Sequence, residues 1–364
     1  MKTTNKTTKI QQSSRKLTRG LALRQLISQK FLALNHRRLD YLNRRPHRSF
    51  KMSRRRDYQR SLDLPGYVQM TVDVVGLLIK NRRIFTGLVL VYAVLTLLLA
   101  SVMSQDVYSQ LTDLVDESRQ EGVVGGFAAN FALFWGVFTS QLSGSAESSQ
   151  GGSAQQVIGA LLGLYTWLAT IWLLRVLLAG KKPHLRDAIY SSGGPVIALM
   201  ILAFVAVIQL IPASIALIAY SAADSSGLLD QTATLMLFGG GMLLLVTLSL
   251  YWLVSTVISM VIATLPGMYP FQALKLAGDI VVGRRMHILL RFGWAAILLL
   301  LVWLVVLLPI IMLDGAIKSS IEGLDGMPLV PIAATVMTSF SVVFIASYVY
   351  IFYRKMVESD DTKA

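Results

Sequence analysis

The arginine, lysine and histidine residues of this chain are grouped in a way that suits the binding of anions. Guanidinium and ammonium groups recognise phosphates by charge and hydrogen bonding. We interpret one N-terminal block and three later segments as candidate contacts for anionic lipid headgroups. The alternative is that they only orient the chain in a membrane. The candidates are Arg54, Arg55, Arg56, Arg82, Arg83, His184, Arg186, Lys275, Arg284 and Arg285.

Catalysis is not predicted, because the residues that usually perform it are not gathered. None of the four histidines belongs to an HExxH motif or has a paired carboxylate spacing beside it, and metal or acid–base sites need converging groups. The sequence has no Walker loop, dinucleotide fingerprint or GxSxG motif. It has no cysteine, which excludes disulfides and thiolate metal ligands. We therefore expect a protein that is not an enzyme and has no cofactor, metal or catalytic site.

Long apolar segments must position the basic residues. The chain has 364 residues, of which 54% are apolar and 15% charged, whereas soluble domains carry about 25% charged residues. Its apolar blocks have the roughly twenty residues that cross about 30 Å of hydrocarbon. We predict an all-α polytopic membrane protein with six transmembrane helices, at about 84–104, 157–179, 195–220, 233–263, 289–313 and 331–353.

The distribution of charge predicts the orientation of these spans. If segment 125–142 does not cross, 31 of the 34 Lys and Arg residues fall on one side and two on the other, as the positive-inside rule requires. Both termini then face the cytoplasm (N-in/C-in) in a multi-pass protein of the cell membrane. Segment 125–142 is expected to be a re-entrant or interfacial helix, or one packed against the bundle. Arg175 and Arg291 lie near inner helix ends, where we expect their side chains to snorkel to the interface.

Composition divides the chain into residues 1–65, a basic cytoplasmic tail, 66–355, the six-span domain, and 356–364, a short C-terminal tail. Apolar residues near helical spacing in 19–45 predict a basic amphipathic helix suited to an anionic membrane surface. A purely topogenic tail is one alternative. Binding of nucleic acid such as ribosomal RNA, or of a protein partner or the ribosome, is another. The oligomeric state is not indicated.

A weak internal repeat occurs three times, where a short amphipathic segment runs directly into a span, at 71–90, 182–201 and 271–292. Asn81-Arg82-Arg83 and Gly283-Arg284-Arg285 occupy the same place before their spans. Such repeats would imply three hairpin-like units around a common centre. The alternative is that any inner helix end attracts arginine.

The third segment, from Ala273-Leu274 through Gly283-Arg284-Arg285 into a Leu-rich helix, resembles the six-helix membrane domain attached to some bacterial glycerophosphodiester phosphodiesterases and found in related stand-alone inner-membrane proteins of unknown role. The resemblance covers roughly 66–355 and implies a six-helix fold. It does not imply phosphodiesterase activity, since no catalytic domain follows residue 355. Residues 44–67 resemble an N-terminal segment of membrane proteins from small-genome, candidate-phyla bacteria.

Two functions from different classes follow. The first is a non-enzymatic membrane protein that supports membrane organisation or assembly through a basic inner face and tail. The second is a transporter or permease-type component that uses helices broken at Pro212, Gly239, Gly240, Gly241 and Pro309, because unwound helices expose backbone groups that bind substrates. The alternative for these residues is a tolerated proline kink and close glycine packing.

Overall fold

The structure, a computed structural model, describes residues 65–99, 134, 153–228, 231–320 and 328–361. Every regular element within these residues is a helix. The helices are α1 Tyr67–Lys80, α2 Arg82–Leu99, α3 Ser153–Leu178, α4 Leu185–Ser191, α5 Val196–Ser225, α6 Thr232–Ile262, α7 Pro270–Val281, α8 Arg285–Ser320 and α9 Leu329–Asp361.

Within the described residues, six of these helices are long and apolar enough to cross a membrane, and they coincide with the six predicted spans. They are Arg82–Leu99, Val157–Leu178, Val196–Ala223, Thr232–Ile262, Arg285–Ile317 and Leu329–Ser359. One difference from the expected bounds is at the end of the fifth span, which was placed at 313. In the structure α8 continues to Ser320, so Asp314 belongs to the helix rather than to a loop.

The three remaining helices are short, and each precedes a span. α1, α4 and α7 lie directly before α2, α5 and α8, as the repeated amphipathic segments predicted. Local signals set the boundaries: α7 begins with Pro270 at its first turn, a position where proline loses no helical hydrogen bond. α3 ends at Leu178. Gly180 follows it with φ of 76°, and its N–H donates to the Leu177 carbonyl, which forms a left-handed cap.

The short helices pack in a cyclic order. Each unit consists of a short helix and the next two spans, so the units are α1–α2–α3, α4–α5–α6 and α7–α8–α9. α4 contacts α2 and α3, α7 contacts α6 and α5, and α1 contacts α8. Each short helix therefore packs on the hairpin of the preceding unit, and α1 completes the cycle on the last one. We call the end of the bundle that carries these three helices the basic end.

Two apolar clusters hold the spans together. The larger one joins all nine described helices around buried residues that include Met70, Ile258 and Phe352. The second cluster lies farther along α8 and at the beginning of α9, around Trp303 and Ala334. Phe134 is helical, fully buried and part of this second cluster. The rest of segment 125–142 lies outside the described residues, so its re-entrant or interfacial placement stays a prediction.

Candidate functional site

The basic end carries cations that point outward from the short helices and their turns. Five of the predicted candidates are exposed side chains there: Arg82, Arg83, His184, Arg186 and Lys275. Exposed aromatic residues lie in the same segments, at Tyr190, Tyr269 and Phe271. Aromatic rings and cations are the residues that settle at a membrane–water interface. Arg54, Arg55 and Arg56 lie outside the described residues.

Arg285 is half-buried, with its guanidinium carbon 5.0 Å from the centre of the Tyr251 ring. This cation–π contact joins the first turn of α8 to α6 and takes up one face of the guanidinium group. Arg285 therefore has a structural contact as well as a partly open side, unlike the five exposed candidates.

Arg284 requires a correction, because its side chain is fully buried and so is not a surface contact for lipid headgroups in this structure. Its Nη2 donates to the carbonyl oxygen of Ile280 at 3.1 Å, in the last turn of α7. A cation at the carboxyl end of a helix stabilises the carbonyls left without helical partners. Gly283, with φ of 81°, makes the left-handed turn between α7 and Arg284. Arg284 thus holds the α7–α8 corner together.

Arg291 does not snorkel, and this expectation was wrong. Its side chain is only 6% exposed. Nε and Nη2 both donate to the carbonyl oxygen of Pro65, at 3.1 and 2.6 Å, and Nη1 donates to that of His287 at 3.3 Å. The guanidinium carbon lies 4.9 Å from the centre of the Tyr67 ring and 6.0 Å from that of Phe352. The charge is thus held by carbonyl dipoles and aromatic faces rather than by solvent.

Two further contacts fix α1 to the last hairpin. The Trp294 indole Nε1 donates to Thr71 Oγ1 at 3.2 Å, and Lys355 forms an ion pair with Asp73. Together with the bonds from Arg291 to Pro65, they connect α1 to both α8 and α9. We call these three contacts the α1 clamp. It holds the helix that directly follows the predicted basic tail.

Arg175 also has a partner in place of the expected interfacial position. Its Nη1 donates to the Thr264 carbonyl at 3.1 Å, and its Nη2 donates to Thr264 Oγ1 at 2.7 Å. Thr264 lies just beyond the carboxyl end of α6, so the cation stabilises that helix end. Arg175 and Arg291 are therefore both packing residues.

The histidines do not gather into a metal site in the described part of the chain. His184 Nδ1 lies 3.5 Å from Asp187 Oδ2, and both side chains are mostly exposed. No group of three or more potential histidine or carboxylate ligands occurs within the described ranges.

The candidate helix breaks also need correction, because the backbone remains helical at each of them. α5 runs through Pro212, α6 through Gly239, Gly240 and Gly241, and α8 through Pro309. Nor do the three glycines of α6 provide close packing, since a Cβ atom on any of them would meet nothing within 4 Å. The transporter hypothesis therefore loses the unwound backbone that motivated it.

Side chains of α6 explain how the apolar α5 tolerates its polar residues. The Ala213 N–H donates to Ser249 Oγ at 3.1 Å, directly beside Pro212. Thr256 Oγ1 donates to Gln209 Oε1 at 2.7 Å. In hydrocarbon a serine or threonine on a neighbouring helix can satisfy backbone groups that a proline displaces. Pro212 is thus accommodated within a helix.

Sequence reasoning missed Asp314, which is 1% exposed near the far end of α8. It was assigned to an outer loop because the predicted span ended one residue earlier. A carboxylate is costly to bury in a membrane protein, even beyond mid-span. A signal was present in the sequence, since apolar residues resume after it at Ala316 and Ile317.

Comparisons with known proteins give no relative for this arrangement. No family model matches the chain, and neither a curated protein nor a solved structure matches it significantly. The six apolar helices themselves identify a multi-pass membrane protein. The resemblance to the membrane domains of phosphodiesterases stays a prediction.

Proposed function

We propose that this chain is a non-enzymatic integral membrane protein that supports membrane organisation or assembly by binding anionic lipid headgroups at its basic end. The observation that carries the proposal is the set of exposed cations on the short helices, interleaved with exposed aromatic residues. Each Lys or Arg near an anionic membrane contributes about 1 kcal/mol to binding. Several such residues on one rigid end can therefore select anionic over neutral lipid.

The same proposal includes the orientation. The basic end faces the cytoplasm of the cell membrane, with both termini on that side, because the lysines and arginines accumulate there. The basic tail, which includes Arg54, Arg55 and Arg56, then reaches the same leaflet. A protein partner or the ribosome is a further candidate for the tail.

Retention of lipid on the purified protein tests the proposal. The full chain is extracted in detergent and mixed with equal amounts of phosphatidylglycerol and phosphatidylcholine, and the bound lipids are counted by native mass spectrometry. The variant R82Q/R83Q/R186Q/K275Q neutralises four exposed cations. R54Q/R55Q/R56Q removes three charges from the tail and separates the contribution of the tail from that of the basic end.

We expect wild type to retain phosphatidylglycerol preferentially, and the four-residue variant to lose most of that preference. Equal retention of both lipids by wild type would contradict the proposal. So would an unchanged preference in both variants. Crosslinking in native membranes from a photoreactive residue at Tyr58 then shows whether the tail contacts lipid, the ribosome or another protein.

A further inference from the structure

α1 presents three separate faces around its axis. Successive residues of a helix are about 100° apart, so residues three or four positions apart share a face. The first face packs on the bundle and consists of Met70, Val74, Leu77 and Leu78. The second is apolar but exposed, and consists of Val68, Val72, Val75 and Ile79. The third is exposed and polar or small, and consists of Gln69, Asp73, Gly76 and Lys80.

Most of the side-chain surface of the exposed apolar face, which we call the α1 stripe, is uncovered by the rest of the protein. Val68, Val72 and Ile79 are 65%, 61% and 63% exposed. A run of valine and isoleucine side chains along one face of a helix marks a surface that contacts something other than water. The adjacent polar face is exposed as well, so that contact covers one side of the helix and leaves the next side in water.

The other short helices lack such a stripe, so it is not a general consequence of lying at the basic end. On α7, Ala273, Ala277 and Val281 are fully buried, and Phe271 is the large apolar residue that is exposed. On α4, the exposed large apolar residue is Tyr190. Each of these helices offers one interfacial aromatic ring, whereas α1 offers a continuous aliphatic face.

The direction of the stripe is fixed by the α1 clamp and by the next helix. The clamp holds α1 through Pro65, Thr71 and Asp73. A single residue, Asn81, separates α1 from the span α2, whose Leu90 and Val94 are exposed. The stripe thus adjoins a helix whose own apolar surface must face hydrocarbon.

We propose that α1 lies in the membrane surface at the basic end, with the α1 stripe inserted among the acyl chains of the adjacent leaflet and its polar face in water. Exposed apolar and polar faces, side by side on one helix, fit a boundary between hydrocarbon and water. Lys80 at the end of α1 and Arg82 and Arg83 at the start of α2 are exposed, and they complement the phosphates of that boundary. This inference goes beyond the proposed function, because insertion of an aliphatic face requires no anionic lipid.

The chain has no native cysteine, so single cysteines can report the environment of each face. V72C and I79C on the stripe are compared with Q69C and G76C on the polar face. Each full-length variant carries an environment-sensitive NBD fluorophore and is reconstituted into vesicles of neutral phosphatidylcholine alone. Lipids with brominated acyl chains and aqueous iodide serve as the two quenchers. Thermal unfolding of each variant checks that it retains the fold.

We expect blue-shifted emission, quenching by brominated lipid and loss of iodide quenching at positions 72 and 79, with the opposite pattern at 69 and 76. Iodide quenching at all four positions would overturn the inference. So would stripe labels that are shielded from both quenchers, since a protein surface would then cover them. Because the vesicles carry no anionic lipid, failure here is distinct from failure of the headgroup proposal.

Discussion

The last span, α9, and the third span, α5, differ strongly in how much of each helix is buried within the protein. In α9, 56% of the most apolar stretch is buried within the protein, whereas in α5 the share is 11%. α9 nevertheless carries buried hydroxyls, including Ser339 and Ser347, which donate to the carbonyls of Thr335 and Val343 at 2.8 and 2.7 Å. α5 is the more apolar helix, and it exposes residues such as Phe204 and Ile218.

The difference shows that hydropathy in this chain follows exposure on the outside of the bundle rather than burial in protein. The two most apolar spans, α5 and α8, are also the two least buried. In a membrane the hydrocarbon is as apolar as leucine, so helices associate through close packing and hydrogen bonds, which favour small and polar residues. Substitutions should therefore have larger effects at α9 and its partners than on α5.

The largest effect is expected where a charge packs against α9. R291Q shortens the side chain that lies over Phe352 and withdraws its donors from the Pro65 carbonyl. Hydrogen bonds to charged groups are worth about 1.5–3 kcal/mol. The free energy needed to detach α1 locally from the bundle should therefore fall by that amount. In a V74C background, where position 74 is fully buried, maleimide labelling should accelerate by about 10- to 100-fold.

R83Q is the matched control for R291Q, because it makes the same change at an exposed arginine. Its labelling rate at V74C should equal that of the background. If R291Q were labelled at the same rate as R83Q, Arg291 would not hold α1 in place, and its hydrogen bonds to Pro65 would not stabilise the attachment of α1.

A smaller effect should follow from adding volume to α9. A346L places three extra carbons at a position with no exposed surface, and overpacking costs about 1–3 kcal/mol. A219L makes the same change on the exposed side of α5 and should stay within about 0.5 kcal/mol. Unfolding of the detergent-solubilised protein by SDS measures both. Equal losses of stability in A346L and A219L would show that α9 and α5 do not differ in their tolerance of added volume.

The sequence predicted the spans well because hydrocarbon thickness sets their length, but it could not predict which charges are buried. Asn81-Arg82-Arg83 and Gly283-Arg284-Arg285 have the same spacing, yet Arg82 is exposed and its counterpart Arg284 is buried. The difference arises in the turns, where Asn81 has φ of −112° and Gly283 has φ of 81°. The spacing of residue types alone does not specify which backbone conformation each turn adopts.

The burial of the Arg291 side chain could not be predicted from the sequence either. Its acceptor, Pro65, is 226 residues away, so no local pattern links them. Hydropathy correctly placed the residue near a helix end, where snorkelling is the usual outcome. Tertiary contacts with Tyr67 and Phe352 replaced solvent as the environment of the charge.

A third prediction concerns the polar contact between α5 and α6. S249A removes the acceptor of the Ala213 N–H, and interhelical hydrogen bonds in membranes are worth about 0.6 kcal/mol, up to about 1.7. P212A restores a regular backbone ladder, so S249A should cost less in that background. A double-mutant cycle in SDS unfolding measures the coupling, and strictly additive effects would show that Ser249 does not compensate for the proline.

The smallest effect is expected at the ion pair between Lys355 and Asp73, whose side chains are partly exposed. Such pairs contribute about 0.2–1 kcal/mol and are screened by salt. D73N should therefore weaken the attachment of α1 slightly at low ionic strength and have no effect at high salt. The labelling rate at V74C measures this, and a salt-independent loss would indicate that Asp73 acts through packing.

Labelling of intact cells tests the central claim, the orientation of the six spans, most directly. K182C and K275C lie at the basic end, whereas S226C lies in the turn between α5 and α6 at the opposite ends of those helices. With a membrane-impermeant maleimide, S226C should react in intact cells, and K182C and K275C should react only after permeabilisation. Reaction of K182C or K275C in intact cells would contradict the account.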